Sequence, residues 1–414
     1  MSGRIVIVGA GFAGVWSALA AKRLINIHSQ AEAFKVTVLA PQPSLVMRPR
    51  LYEEDPSSMS QDLEPLFKAC GIEFIHGSVD DIDVHSHTVS YRSSAGTEHL
   101  ASYDRLILAA GSSVVRPKQI SGLEQHAHDV DSMEGAVKLE VHLNRLGSYP
   151  STTARDTVVV CGAGFTGIEL ATELLKRLSS IQNPRVILVE AAGVLGPELG
   201  PGPRPVITQA LEELGIELRL ASPITAVDSG GVQLATGEKI ETMTTIWTAG
   251  VRATPLTQKI HGPKDKLSRL HVDRYLRATS SEHVFATGDA ACAASDNDGH
   301  YALMSCQHAL QLGRVSGYNA AADLLGLPLY EYKQESYNCC LDLGAWGAVI
   351  TGGWERKVRL TGEPAKQAKM YINQTLIYTP EDCHRAMEAA TPVGPDSDEL
   401  FKQIMEAFKK GLIS

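Results

Sequence analysis

The feature that most constrains this chain is a strand–turn–helix motif that occurs twice. The first copy is IVIVGAGFAGVWSALAAKRL at residues 5–24, and the second is VVVCGAGFTGIELATELLKRL at residues 158–178. Each reads as a buried strand, a glycine-rich turn and a helix with apolar residues at helical spacing. A further strand follows each copy, at 36–40 and at 186–190. Two βαβ units of this kind predict two dinucleotide-binding sites.

The glycines of each turn have separate physical roles. The first permits the tight turn, the second lets the backbone approach a pyrophosphate, and the third allows close packing of helix on strand. The helix that opens there presents free N–H groups and a positive dipole end to phosphate. These positions are Gly9, Gly11 and Gly14 in the first copy and Gly162, Gly164 and Gly167 in the second.

Glu190 ends the second strand of the second unit, where a carboxylate accepts hydrogen bonds from the adenosine ribose hydroxyls. A carboxylate also repels a 2′-phosphate, and the next residues, Ala191-Ala192-Gly193, include no arginine. The second unit is therefore predicted to bind NADH in preference to NADPH. The alternative is a strand-end glutamate that only faces solvent.

A third signal is TGD in VFATGDAA, which carries Asp289. An aspartate after a strand and a glycine can bond the ribityl chain of FAD, and N–H groups of the helix expected behind it would meet the pyrophosphate. A plain helix N-cap is the alternative. Turns at the ends of other strands complete the predicted cofactor contacts, at Ala110, Gly111, Gly250 and Gly288.

Composition excludes several classes of protein. The net charge is −9 and no long basic run occurs, which argues against nucleic acid as a partner. The seven cysteines are scattered, which argues against a secreted disulfide framework, and none has metal-ligand spacing, so no metal site is predicted. Without a signal-peptide pattern or an apolar run of about 20 residues, we expect a cytoplasmic chain or one on the inner face of a membrane.

In their order along the chain, these motifs resemble the two-dinucleotide-binding flavoprotein superfamily, and within it type II NADH dehydrogenases (NADH:quinone oxidoreductases). The matching segments are GAGFAG, IWTAGVRATP, VFATGDAA and CQHALQLG. The resemblance implies an α/β fold with two Rossmann-like domains, one for FAD and one for NAD, plus a smaller carboxy-terminal α+β region. The implied division is 1–115 and 255–328 for FAD, 116–254 for NADH, and 329–414 for the carboxy-terminal domain.

The resemblance also implies which residues touch substrate. Gln307 and Gln311 fit an AQxAxQ segment that lines the quinone site, and Glu169 fits a glutamate near the nicotinamide. His308, in the same segment, either helps to protonate the reduced acceptor or is a packed neutral histidine. The lysine-rich stretch GEPAKQAKMYINQTLIYTP resembles the carboxy-terminal domain of the group without any derived role.

Two further segments bear on the site: one departs from the family pattern, and the other resembles a neighbouring family. In MRPRLYEE, Arg48 and Arg50 either bind the flavin phosphates or an anionic substrate, or form surface ion pairs. In NCCLDLG, Cys339 and Cys340 resemble a redox-cysteine segment of sulfide:quinone oxidoreductases, with inert buried thiols as the alternative.

The carboxy-terminal segment 399–414 predicts an amphipathic helix after a region, 330–380, that alternates strand-like runs with turns. Its apolar stripe contains Phe401, Ile404, Met405, Phe408 and Leu412. Such a stripe suits peripheral contact with an anionic membrane, docking on the chain's own surface, or a homodimer interface.

Three functions stay open on the sequence alone. The first is hydride transfer from NADH to flavin and then to a quinone-like acceptor. The second is a flavin-dependent oxidase or monooxygenase acting on a small molecule, for example in secondary metabolism. The third is a nucleotide-holding redox sensor without turnover, against which the intact motifs at both sites argue.

Overall fold

The structure is a computed structural model that describes residues 2–410. It has the mixed α/β fold that the two motifs predict. The strand Gly3–Val8 pairs in parallel with Phe34–Ala40 on one side and with Arg105–Leu108 on the other. The larger sheet has the order Val284–Ala286, Arg105–Leu108, Gly3–Val8, Phe34–Ala40, Glu73–Asp83, Thr88–Ser93 and Glu98–Ser102.

The second motif forms a second parallel sheet in the same way. Its first strand, Thr157–Cys161, is buried throughout, as expected for a strand covered by other elements on both faces. This sheet has the order Ala127–His128, Thr244–Trp247, Thr157–Cys161, Arg185–Val189 and Glu217–Arg219. An antiparallel sheet beside it contains Ile224–Asp228, Gly231–Leu234 and Lys239–Glu241.

Two helices pack tightly against each other on the first sheet, Phe12–Ile27 and Cys306–Leu325. Glycines make the close approach possible, since a Cβ at Gly317 would lie 2.1 Å from the carbonyl oxygen of Ser17. The Ser17 hydroxyl lies 2.9 Å from that of Ser316. The helix predicted over 306–326 is thereby confirmed and placed beside the first glycine turn.

The chain crosses between the two sheets at a short antiparallel pair, Ser112–Val114 with Val251–Ala253. The predicted domain boundaries after residues 115 and 254 fall directly behind these two strands. Two further pairs lie near the first sheet, Ser44–Val46 with Ser60–Asp62 and Leu270–His271 with Ala291–Cys292.

The region after residue 328 contains an antiparallel sheet of Cys339–Asp342, Ala348–Gly352 and Lys357–Gly362. The expectation that strands and turns alternate up to residue 380 was wrong beyond Gly362. Residues Glu363–Tyr371 form an α-helix that continues into a π-helical turn, Ile372–Leu376. Unlike the strand Ala348–Gly352, the stretch EPAKQAKMY contains no β-branched residue, and its alanines and lysines favour a helix.

The remaining α-helices are Glu64–Cys70, Leu123–His126, Met133–Leu146, Thr153–Asp156, Phe165–Arg177, Arg204–Glu213, Cys383–Ala389 and Ser397–Lys409.

The last of these, Ser397–Lys409, docks on the protein itself. Ile404 is buried, and Phe401 and Phe408 lie partly buried beside it, packed against residues that include Ile350 and Ala365. This is one of the three arrangements that the sequence left open, while Leu412 lies outside the described residues. Within residues 2–410, no helix combines the length and apolar character that crossing a bilayer requires.

A disulfide joins Cys70 to Cys383, whose Cα atoms are 5.5 Å apart. It ties the first sheet's region to the helix Cys383–Ala389. The two cysteines are separated by 313 residues, so their spacing gave no indication of the bond. The other cysteines are free: Cys161, Cys292, Cys306, Cys339 and Cys340.

Candidate functional site

The first glycine turn leaves the positively polarised N-terminus of a helix open to a ligand. Gly9 has φ +109°, and a Cβ at Gly14 would lie 2.0 Å from the carbonyl oxygen of Gly9, so neither position accepts a side chain. Around Gly11, by contrast, nothing lies within 4 Å of a Cβ position. The helix Phe12–Ile27 begins here without a side-chain cap or an acidic residue in its first turn. Its first N–H groups are therefore available to an anion such as a pyrophosphate.

The second glycine turn has the same construction. Gly162 has φ +110°, and a Cβ at Gly167 would lie 1.8 Å from the carbonyl oxygen of Gly162. The space next to Gly164 is again open. The helix Phe165–Arg177 starts without a side-chain cap, so this turn also fits a pyrophosphate.

Glu190 lies against this second turn. Its carboxylate accepts hydrogen bonds from the backbone N–H groups of Ala163 and Ala192, each at 2.8 Å. These bonds hold a negative charge beside the glycines rather than in open solvent. The arrangement fits recognition of ribose hydroxyls and disfavours a phosphate at the same place.

Asp289 follows the strand Val284–Ala286 as predicted, but no α-helix lies directly behind it. Residues Gly288–Ala290 form a single 3-10 turn that leads into a short strand, so the expectation of a helix here was wrong. The N-cap alternative fails for the same reason. Gly288 has φ +58°, and a Cβ there would lie 2.8 Å from the Cβ of Ala13. The turn is thereby seated against the start of the first helix.

The turns at Gly111 and Gly250 border the same region. Both glycines have positive φ, +69° and +86°, and nothing lies within 4 Å of a Cβ at either one. Ala110 precedes the first of them at the carboxyl end of the strand Arg105–Leu108. In parallel sheets, ligands bind outside the carboxyl ends of the strands, where both turns lie.

Arg48 and Arg50 have different environments despite their proximity in sequence. Arg48 donates to the Ser112 hydroxyl at 2.8 Å, and its guanidinium lies 3.5 Å from the carboxylate of Asp289. Arg50 instead pairs with Glu53 at 2.7 Å and donates to the Tyr378 hydroxyl at 3.0 Å. Arg50 thus forms an ion pair, although a largely buried one and not the surface pair of the alternative, whereas Arg48 pairs with Asp131 and faces Asp289, the predicted flavin ligand.

Both predicted acceptor-site glutamines are bonded to one segment, residues 391–397, which we call the strap. The amide of Gln307 donates to the Ser397 hydroxyl at 2.6 Å, and that of Gln311 donates to the carbonyl oxygen of Pro392 at 2.6 Å. Asn338 donates to the carbonyl oxygen of Ser397 at 2.6 Å and anchors the strap further. The two amides share one helix face, as their spacing predicts, and the strap lies over it.

Glu169 forms a buried ion pair that sequence analysis did not anticipate. Nζ of Lys369 lies 2.8 Å from Oε1 of Glu169, and the backbone N–H of Asp342 donates to the same oxygen at 3.0 Å. Lys366 in turn lies 2.5 Å from the Asp342 carboxylate, to which Tyr52 also donates. The only available signal was the three-residue spacing of the two lysines, which puts them on one helix face.

Several of these groups influence one another electrostatically. Burial raises the pKa of Cys306, the first residue of the helix that carries both glutamines, and Lys369, Asp289 and Glu169 all act on it electrostatically. Burial also raises the pKa of Glu169. Burial alone would lower the pKa of Lys369, but the Glu169 carboxylate raises it above its ordinary value. Asp289, Glu169 and Lys369 are therefore all close enough to Cys306 to influence its thiol.

His308 and the adjacent cysteines are packed core groups. Burial, with Arg356 adding to it, lowers the pKa of His308 to about 3, so the imidazole is neutral. Its ring stacks on Tyr337 with centroids 4.8 Å apart. Burial raises the pKa of Cys339 to about 12 and raises that of Cys340 as well. This burial supports the interpretation of His308 as a packed neutral histidine and of Cys339 and Cys340 as inert thiols.

Comparison with known proteins identifies the family. The profile of the pyridine nucleotide-disulphide oxidoreductase family matches residues 3–313. The chain is 42% identical over 398 residues to an NADH dehydrogenase-like protein of Mycobacterium tuberculosis, covering 94% of this chain and 98% of that protein. It is 27% identical over 382 residues to demethylphylloquinone reductase NdbB of Synechocystis, covering 89% and 91%. The structure of NDH2 from Plasmodium falciparum with NADH superimposes with a TM-score of 0.74 at 14% identity, covering 94% and 97%.

The chain therefore belongs to the pyridine nucleotide-disulphide oxidoreductase family. Membership makes it an NAD(P)H-dependent flavin oxidoreductase, and FAD and NADH are the cofactors that this membership implies. The predicted fold class and the resemblance to NADH dehydrogenases are both confirmed.

Proposed function

We propose that this protein transfers hydride from NADH to FAD and passes the electrons to a quinone-class acceptor. The proposal depends chiefly on the two glycine turns, Gly9–Gly14 and Gly162–Gly167. Each leads into a helix without a side-chain cap, and each leaves free space beside its second glycine. FAD supplies the redox chemistry when bound, so the chain's own residues need only bind, orient and exclude water.

The first turn is proposed to hold FAD and the second NADH. The turn that carries Asp289, Gly288–Ala290, is seated against the start of the first helix through Gly288, so a group held there can be contacted from both sides. Glu190 lies against the second turn and carries a charge suited to ribose hydroxyls. No side chain is required as a nucleophile in this scheme.

The acceptor is proposed to bind between the glutamine face of the helix Cys306–Leu325 and the Glu169–Lys369 pair. Gln307 and Gln311 can donate hydrogen bonds to carbonyl oxygens of the kind that a quinone carries. Lys369 is a buried donor in reach of the same region and can stabilise negative charge that develops on the acceptor. Relatives named as quinone reductases support this acceptor class.

A second candidate acceptor is dioxygen. The strap occupies both glutamine amides, and a bulky quinone must displace it, whereas dioxygen needs no such face. With the strap in this position, the structure favours dioxygen as the second candidate.

The proposal is tested by measuring steady-state NADH consumption together with oxygen uptake at an oxygen electrode. Both are measured with and without a soluble short-chain quinone. We expect quinone to accelerate NADH consumption while oxygen uptake stays low. NADH consumption matched by oxygen uptake and unaffected by quinone would favour the oxidase. No NADH consumption under either condition would overturn the proposed function.

A further inference from the structure

Arg48 lies at the centre of a charge cluster built from three distant parts of the chain. It donates to the Ser112 hydroxyl at 2.8 Å, and Ser112 in turn donates to the Asp289 carboxylate at 2.6 Å. The Arg48 guanidinium lies 3.5 Å from the same carboxylate and also donates to the carboxylate of Asp131. Asp131 is held from its other oxygen by the backbone N–H of Val114, at 2.8 Å.

The two carboxylates of this cluster are nearly buried. The side chain of Asp289 is 16% exposed and that of Asp131 is 17% exposed. Among the side chains that the structure describes, those of residues 2–408 and 410, Arg48 is the only cationic one within ion-pair distance of either carboxylate. Without it, two negative charges would share a poorly hydrated space, which is costly in proteins.

We propose that Arg48 is a flavin-positioning residue: its guanidinium orients the Asp289 carboxylate for FAD and offsets the negative charge of the FAD diphosphate. The inference rests on the proposed function, because it assumes that FAD occupies the first turn. Burial raises the pKa of Asp289, and Arg48 is the largest influence that opposes this rise. The guanidinium fork reaches Ser112 and Asp131 with separate nitrogens, so it fixes geometry as well as charge.

The sign of the charge effect is independent of detailed flavin geometry. Reduction adds negative charge to a bound flavin, so a nearby cation favours the reduced form over the oxidised form. Removing Arg48 should therefore weaken FAD binding and lower the midpoint potential. Removing the negative charge of Asp131 should do the opposite to the potential.

The test uses Arg48→Met, Arg48→Lys and Asp131→Asn, with Arg50→Met as matched control. Arg50 is two residues away but pairs with Glu53 and Tyr378 rather than with Asp289. For each protein, FAD affinity is measured by fluorescence titration of the apoprotein, and the midpoint potential by redox titration of the holoprotein. The apoprotein melting temperature reports whether each variant is folded.

For Arg48→Met we expect FAD affinity to fall about tenfold or more, as for the loss of a charged hydrogen bond. If the affinity for reduced flavin falls tenfold more than the affinity for oxidised flavin, the midpoint potential falls by about 30 mV. Arg48→Lys should keep the potential but bind FAD more weakly, Asp131→Asn should raise the potential, and Arg50→Met should change neither. Should Arg48→Met fail to fold, the raised potential expected for Asp131→Asn still decides the question, together with the weaker FAD binding at unchanged potential expected for Arg48→Lys.

The inference is overturned if Arg48→Met, or Asp131→Asn in its place, retains the affinity and potential of the unmodified protein. It is also overturned if Arg50→Met has the same effect as Arg48→Met. An unmodified protein that binds no FAD would instead refute the proposed function, so the two failures are distinguishable.

Discussion

Nζ of Lys369 lies 2.8 Å from Oε1 of Glu169, and this ion pair connects the carboxy-terminal region to the helix of the second glycine turn. Their side chains are only 8% and 10% exposed. The backbone N–H of Asp342 donates a second hydrogen bond to the same Glu169 oxygen. A pair buried to this degree stabilises the fold in addition to any chemical role. If either partner were removed, the remaining charge would be buried without solvent or a counter-charge.

Replacing Lys369 by Met should lower the free energy of unfolding by about 3–5 kcal/mol, because Glu169 would remain buried without its partner. Adding Glu169→Gln should restore a large part of that loss. Lys138→Met is the control, since Lys138 is 67% exposed and pairs with the exposed Glu134 at the surface, so its loss should cost less than about 1 kcal/mol. Urea unfolding of the four proteins measures these changes. Equal effects of the two lysine variants would contradict the account.

Much of the fold followed from short-range patterns. The strands and helices of both glycine units are fixed by local apolar periodicity and by glycines at close contacts, so residues 5–24 and 158–178 were predicted well. By contrast, the ion pair of Glu169 with Lys369 joins residues far apart in sequence. Nothing local distinguishes these two residues from an exposed pair, so only the tertiary structure brings them together.

Other features escaped for related reasons. The stretch Glu363–Tyr371 was assigned to alternating strands and turns because it follows a true antiparallel sheet, whereas its own residues favour a helix. An α-helix was expected behind Asp289 from the segment TGDAA, and here a 3-10 turn and a short strand take its place. The strap could not be foreseen, because its contacts with Gln307 and Gln311 are made by backbone and a single serine.

Glu190→Ala should reduce the preference for NADH over NADPH. The carboxylate offers charged hydrogen bonds to ribose, and their loss is expected to cost about 1.5–3 kcal/mol, or at least tenfold in apparent NADH affinity. Rates of anaerobic flavin reduction at varied NADH and NADPH concentrations measure this. Glu198→Ala, an exposed acidic residue in the same loop region, serves as control. If the unmodified protein used both nucleotides equally, the role of Glu190 would be refuted.

Two truncations separate the strap from the terminal helix. Deleting residues 399–414 removes the packing of Ile404 and should lower the melting temperature while the strap stays in place. Deleting 391–414 should in addition speed flavin reoxidation by quinone, because Gln307 and Gln311 are released. Flotation with anionic liposomes tests membrane contact in parallel. Loss of flotation without any change in melting temperature would show that the helix serves the membrane instead.

In the protein lacking residues 391–414, alanine at Gln307 or Gln311 should slow reoxidation by quinone and leave flavin reduction by NADH near normal. The shortened background is needed because each glutamine also bonds the strap, and the two effects would otherwise oppose each other. Stopped-flow measurement of both half-reactions gives the answer. If both half-reactions fall together, the glutamines are structural.

Sequential anaerobic mixing tests most directly the proposal that electrons pass from NADH to a bound flavin and on to a quinone. Purified holoprotein is mixed with NADH and then with a soluble quinone while the flavin absorbance is followed. Gly11→Val is the control, since a Cβ there meets nothing within 4 Å in the fold, although it intrudes on the proposed pyrophosphate position. We expect NADH to bleach the flavin band, quinone to restore it, and the control to purify without flavin. Flavin that stays oxidised with excess NADH, or that is bleached but not restored by quinone, would contradict the account.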